Sequence, residues 1–146
     1  MSAVRELGPA ETELAFRAMK ALRTALADAD AFARHVNRIQ RPEGYRLVAV
    51  FEDGEAEAVA VAGFRVLHNL AWGHVLYVDD LSTLPEGRRR GYGRMLLDWL
   101  LDEARRLECD ELHLDSGVGE NRLDAHRLYF NSGMRITSHH FARRVM

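Results

Sequence analysis

Cysteine and lysine are almost missing from this 146-residue chain, which has one of each, Cys109 and Lys20. A single thiol excludes an internal disulfide framework and any zinc cluster built from cysteines, and it suits a reducing compartment. With no lysine beside a Ser or Thr, a Walker-type phosphate loop is excluded. No apolar run approaches the roughly 18–20 residues that span a bilayer. The stretch before Pro9 lacks the basic-then-apolar order of a secretion signal. An excess of one charge is missing too: 20 Lys and Arg stand against 22 Asp and Glu, a net −2. Any grip on a polyanion or a membrane must therefore be local. These absences predict a cytoplasmic protein with no membrane partner and no metal site.

What is present is ordinary globular material, 47% hydrophobic and 29% charged, and the length suits a single domain over residues 1–146. Val4–Leu7 predicts a short strand closed by Gly8-Pro9. Leu14, Met19, Leu22 and Leu26 are spaced for a helix from Ala10 to about Ala27. Asp28 and Asp30 suit the cap of a second helix through Phe32, Val36 and Ile39, stopped by Pro42 and Gly44. The period then changes to two. Tyr45–Phe51, Glu55–Leu67 and Trp72–Leu84 predict three strands, joined at Asp53-Gly54 and His68-Asn69 as an antiparallel meander. Leu96, Leu97, Leu100, Leu101, Ala104 and Leu107 form the apolar stripe of a helix from Gly91 to about Leu107. Leu112–Asp115 is a strand after it, so this strand–helix–strand unit should be a parallel crossover. A helix from about Leu123 to Asn131 ends at Ser132-Gly133, and Met134–Val145 supplies one or two final strands. The fold class is α+β, mixed α/β: a mostly antiparallel twisted sheet flanked by helices, with one βαβ crossover.

Chemistry concentrates at Arg88-Arg89-Arg90-Gly91-Tyr92-Gly93, between a predicted strand and a predicted helix. Glycines let backbone amides approach a ligand without interference from Cβ. The first helical turn leaves N–H donors unpaired and carries partial positive charge. Arg88, Arg89, Arg90 and Arg94 add fixed charge at the same place. Together they suit an anion such as a diphosphate. The third glycine of a dinucleotide fingerprint is missing.

Arg88-x-x-Gly91-x-Gly93 resembles the pyrophosphate-binding motif of the GNAT superfamily of acetyl-CoA-dependent N-acetyltransferases. Leu81–Glu86 is similar to that family's fourth strand and the turn after it, and Arg94–Leu107 to its central helix. Ala125-His126-Arg127-Leu128-Tyr129, followed by Ser132-Gly133-Met134, resembles its second motif. The similarity runs from about Tyr77 to Ile136. It departs at Arg122, where the family commonly has an asparagine that contacts the cofactor. Either the loop shifts to bring in Asn121, or Arg122 makes a phosphate contact instead.

The resemblance implies a GNAT-like fold and acetyl-CoA as cosubstrate. The diphosphate falls to Arg88–Arg94, Tyr92 included, and to Asn121 or Arg122. The pantetheine arm lies along Leu81, Ser82 and Thr83, pairing with backbone groups of Leu81 and Thr83. A bulge near Leu81-Ser82 opens a slot for the thioester, where a backbone N–H polarises the acetyl carbonyl. Tyr129 stands where the family places the acid that protonates the leaving thiolate; the alternative is a core aromatic. Asp79 or Asp80 accepts the amine's proton or anchors a cationic acceptor. Strand alternation sends the two to opposite faces, so only one lines the cleft; parity with Thr83 favours Asp79, and a bulge would reverse that parity. His139 and His140, adjacent on a predicted strand, point opposite ways and make a poor metal pair. Cys109 reads as a structural thiol. The acceptor is a small-molecule or peptide amine and the protein a homodimer. Two rivals are a non-catalytic acyl-CoA sensor and a nucleic-acid binder using the arginine loop; near-neutral charge makes nucleic acid the weaker partner.

Overall fold

Apolar residues on both faces of a strand demand cover on both faces, and the strand at Arg46–Glu52 is such a segment. Leu47, Val48, Ala49 and Val50 are all fully buried. A computed structural model describes residues 2–146. They form two compact units divided between Leu114 and Asp115.

The first unit is a five-stranded sheet in sequence order: β1 (Ser2–Leu7), β2 (Arg46–Glu52), β3 (Ala60–Asn69), β4 (Gly73–Thr83) and β5 (Glu111–Leu114). The first four strands pair antiparallel, and β5 runs parallel to β4. Helix α3 (Tyr92–Arg106) makes that crossover and buries Leu96, Leu97, Leu100 and Ala104. Each fully buried leucine contributes about 1.5–3 kcal/mol. Trp99 of α3 meets Phe64 of β3 edge-on, ring centroids 5.8 Å apart. Leu101 and Leu107 are only half-buried. The predicted stripe omits Glu103, which is 7% exposed and paired with Arg46 and Arg106.

Several predicted boundaries move. The first helix is a 3-10 stretch, Pro9–Ala15, running into α1 (Phe16–Leu22), and it ends well before Ala27. Its buried positions are Thr12, Ala15, Ala18 and Met19. Of the predicted stripe only Met19 is buried, beside three small side chains, while Leu14, Leu22 and Leu26 are half-buried. Helix α2 (Ala29–His35) starts as predicted, with Asp28 accepting from the Ala31 N–H at 2.8 Å. Strand β3 begins at Ala60 rather than Glu55: Glu55, Ala56 and Glu57 are exposed, and Ala58 and Val59 are buried ahead of the strand.

In the second unit, helix α4 (Leu123–Asn131) closes on Gly133, φ +86°. The Gly133 and Met134 N–H groups bond the carbonyls of Phe130 and Tyr129, both at 3.1 Å, a Schellman closure. The predicted strands over Met134–Val145 are absent: residues 134–146 contain no strand. Ile136 and Phe141, 76% and 92% exposed, have opposite strand parity, so one buried face could not collect both. Among the described residues no helix is long and apolar enough to cross a membrane.

Candidate active site

Two neighbouring features of the first unit form the candidate site, a helix start and a strand irregularity. At the helix start, Pro85–Gly87 make a 3-10 turn, after which Arg89 (φ +65°) and Gly91 (φ +81°) are both left-handed. Gly91 is the residue before α3, and a Cβ built on it meets nothing within 4 Å. Glycine is required there by backbone angle, and the space above it is open. Helical bonding begins with the Met95 N–H to the Gly91 carbonyl, 3.0 Å. The N–H groups of Tyr92, Gly93 and Arg94 thus have no helical acceptor.

The four arginines divide. Arg90 pairs with Glu52 of β2 at 2.8 Å, and Arg94 with Asp98 at 3.2 Å. Arg88 and Arg89 are exposed and have no ion pair among the described residues. Tyr92 is buried and donates its hydroxyl to Glu52 at 2.5 Å. That bond raises the phenol above its ordinary value and lowers the Glu52 carboxyl. Glu52 therefore anchors the loop from beneath, leaving Arg88, Arg89 and the helix-start amides to face an anion. This donor set fits a diphosphate.

The strand irregularity is in β4. Phe64 pairs with Val78 but Gly63 pairs with Asp80, so Asp79 is an extra residue without a partner on β3. The bulge therefore sits at Asp79, two residues before the position predicted for it. Strand β5 pairs with Val75–Val78 and stops there, so beyond the bulge β4 is paired in the sheet with β3 alone. Leu81, Ser82 and Thr83 occupy that segment, with Ser82 buried and its neighbours half-buried.

A bulge resets strand parity, and both aspartates consequently line one cavity. It has a volume of about 300 Å³ and is walled by Arg23, Gln40, Glu43, Tyr45, Arg65, Asp79 and Asp80. The expectation that only one aspartate faces the cleft is thus overturned. Arg65 holds Asp79 through two bonds, Nε to Oδ2 at 2.8 Å and Nη2 to Oδ1 at 2.7 Å. Asp80 accepts from Tyr45 Oη at 2.6 Å and from Arg23 Nε at 2.8 Å. Arg23 also donates Nη2 to the Asp79 carbonyl at 3.0 Å. Burial, and then the Asp80 charge, push the Tyr45 phenol far above its usual value, so it stays a donor.

Tyr45, Arg65, Arg23, Gln40 and Glu43 escaped the sequence reading. Two signals were available: Arg65 is a lone charge within the apolar run of β3, and Gly63 is a glycine inside a strand, which marks close approach.

In the second unit, Asn121 and Arg122 lie in the 3-10 turn Glu120–Arg122 before α4. Tyr129 is buried. Burial raises its phenol, and the nearby Arg122 pulls it partly back. His140 lies 3.7 Å from Asp115. No group of three or more potential metal ligands occurs among the described residues. Cys109 is raised mainly by burial.

Comparison with known proteins bears on the family and the fold. The pattern described as "Acetyltransferase (GNAT) family" matches residues 12–134. An uncharacterized N-acetyltransferase YhdJ of Bacillus subtilis (strain 168) is 35% identical over 128 residues, 87% of each chain. Among solved structures, the ribosomal-protein-alanine N-acetyltransferase of Brucella melitensis biovar Abortus 2308 superposes with a TM-score of 0.82 at 18% identity, covering all of both chains. AAC(6')-Iy in complex with the bisubstrate analog CoA-S-monomethyl-acetylneamine gives 0.82 at 17% identity, over 100% of this chain and 99% of that one. At those identities the structural likeness speaks for the fold, while the family pattern and the Bacillus relative carry the assignment: this chain is an acyltransferase of the GNAT acetyltransferase family.

Proposed function

We propose that this protein transfers the acetyl group of acetyl-CoA to a primary amine, by direct attack of the amine within a ternary complex. The observation that carries the reading is the bulge at Asp79. It ends the pairing of β4 with β5 beside a polar cavity, on the strand that leads into the Gly91 helix start. Arg88, Arg89 and the amides of Tyr92–Arg94 would hold the diphosphate, with Glu52 bracing Arg90 and Tyr92. Asn121 or Arg122 adds a contact from the turn before α4. The half-paired edge at Leu81–Thr83 offers backbone groups to the pantetheine amides in the manner of an added strand.

Acetyl-CoA supplies an activated acyl group. The chain supplies orientation and proton handling. A C–N bond forms as the thioester C–S bond breaks, the amine gives up a proton and the sulfur gains one. We assign the first proton to Asp80. Its Oδ1 is held by Arg23, whose side chain is 52% exposed, whereas both oxygens of Asp79 are clamped by Arg65. Tyr129, kept protonated by burial, would deliver the second proton as general acid. The family resemblance adds a homodimer to this reading, and the single cysteine suits a reducing, cytoplasmic compartment.

Calorimetry with acetyl-CoA, followed by a free-thiol assay across a panel of primary amines, tests the proposal. Heat on binding and amine-dependent thiol release are expected. Binding without thiol release from any amine would leave an acyl-CoA sensor. No binding, with salt-steep affinity for nucleic acid, would point to the arginine loop as a phosphate clamp on RNA or DNA.

A further inference from the structure

The charges on the wall of the bulge cavity are already engaged. Both oxygens of Asp79 are held by Arg65, and both oxygens of Asp80 by Tyr45 and Arg23. Glu43 is solvent-exposed and acts electrostatically on Arg65. An amine that enters protonated and passes its proton to Asp80 completes the balance of two guanidinium groups against three carboxylates. No charge is waiting for a second charged group on the acceptor. One of either sign would enter a partly enclosed space with nothing to pair it.

What the wall leaves uncommitted is neutral. Gln40 lines the same cavity and is half-buried, and its carboxamide has no hydrogen-bond partner among the described residues. Its backbone is fixed. Gln40 is the last residue of a π-helical turn, Val36–Gln40, and its carbonyl accepts the Tyr45 N–H at 3.0 Å. Tyr45 in turn donates its hydroxyl to Asp80 at 2.6 Å. The free amide is therefore tied, through one residue, to the carboxylate proposed as base. A carboxamide offers two N–H donors and a carbonyl acceptor, and a ligand hydroxyl or amide can engage both kinds. We infer that the acceptor is an amine whose other polar group is an uncharged hydroxyl or amide, and that Gln40 selects for it by hydrogen bonding. This rests on the acetyl-transfer reading above.

Matched acceptors in which an apolar group replaces the polar one isolate the effect: 2-aminoethanol against propylamine, 3-aminopropan-1-ol against butylamine, and 3-aminopropanamide against 3-methylbutylamine. Propane-1,3-diamine and 3-aminopropanoate supply the charged comparisons. Thiol release should give the best neutral polar acceptor a kcat/KM at least about fivefold above its alkyl match, the scale of a neutral hydrogen bond. It should also exceed both charged acceptors. The gap should sit in KM and, being uncharged in origin, should hold as salt is raised. In Gln40→Met, which keeps the length of the side chain and removes the amide, the ratio should fall to within about twofold. Equal use within every matched pair, preference for a charged acceptor, or a ratio that survives Gln40→Met would each overturn the inference while leaving acetyl transfer intact. Thiol release from no acceptor would overturn the parent reading, and this inference with it.

Discussion

Tyr45 donates its phenolic hydrogen to Asp80 Oδ2 at 2.6 Å, and its side chain reaches that carboxylate by lying across Gly63. A Cβ at Gly63 would stand 1.7 Å from the Tyr45 oxygen. Gly63 is also the residue opposite Asp80 in the register. The glycine, the bulge and the tyrosine are thus one device for placing a carboxylate in the cavity. Gly63→Ala should displace the ring, cost about 1–3 kcal/mol through overpacking, and lower kcat/KM for the amine. Tyr45→Phe keeps the ring and removes only the donor, so its melt should fall by about 1 kcal/mol. An unshifted melt for Gly63→Ala would refute this packing.

The two aspartates should separate in kinetics. Asp80→Asn removes the proposed base without changing shape, and kcat should drop by about 100-fold or more. Asp79→Asn instead loosens the Arg65 clamp, so its main effect should fall on KM for the amine. Stopped assays of both variants across pH decide the assignment, and a larger kcat loss for Asp79→Asn would reverse it.

Much of this was legible in sequence because it is encoded locally. The Gly91 helix start is declared by its own glycines and arginines, the closure of α4 by Ser132-Gly133, and the α2 cap by Asp28. The cavity is not local. Its walls come from α1's end, the turn before β2, and strands β3 and β4, and no spacing rule connects Arg23 to Asp80 across 57 positions. The bulge is a relation between two strands, so strand alternation read along β4 alone put Asp79 and Asp80 on opposite faces. The tail failed for a different reason: β-rich residues without a consistent face do not make a strand.

Tyr129→Phe tests the acid. Since burial holds the phenol above its usual value, it is protonated throughout the neutral range and its loss should be felt there. We expect kcat to fall about 100-fold with little change in either KM, and the alkaline limb of the profile to flatten. A variant with unchanged kcat would make Tyr129 a core aromatic.

The arginines should fall into two classes. Arg88 and Arg89 have no ion pair among the described residues, and each charge-assisted bond to a phosphate contributes about 1.5–3 kcal/mol. Removing both should raise the acetyl-CoA KM by at least about tenfold and flatten its salt dependence. Arg94→Ala gives up an exposed pair with Asp98, and such pairs contribute about 0.3–0.5 kcal/mol, so its effect should be small. Equal effects at Arg88 and Arg94 would contradict the division.

Glu103 gives the fold an acid sensitivity that is separate from catalysis. Its carboxylate is 7% exposed on α3 and bonded by Arg106 at 2.7 Å and by Arg46. The Arg106 bonds, then Arg46, lower it from 4.5 to about 2. Since the folded value lies below the unfolded one, the stabilisation is complete above pH 4.5 and drains away as pH falls toward 2. At about 1.4 kcal/mol for each pH unit of displacement, it amounts to roughly 3 kcal/mol at neutrality. Glu103→Gln should therefore melt earlier at pH 7 yet converge with the parent protein near pH 2. Parallel melting curves across that range would show that the pair contributes nothing to folding.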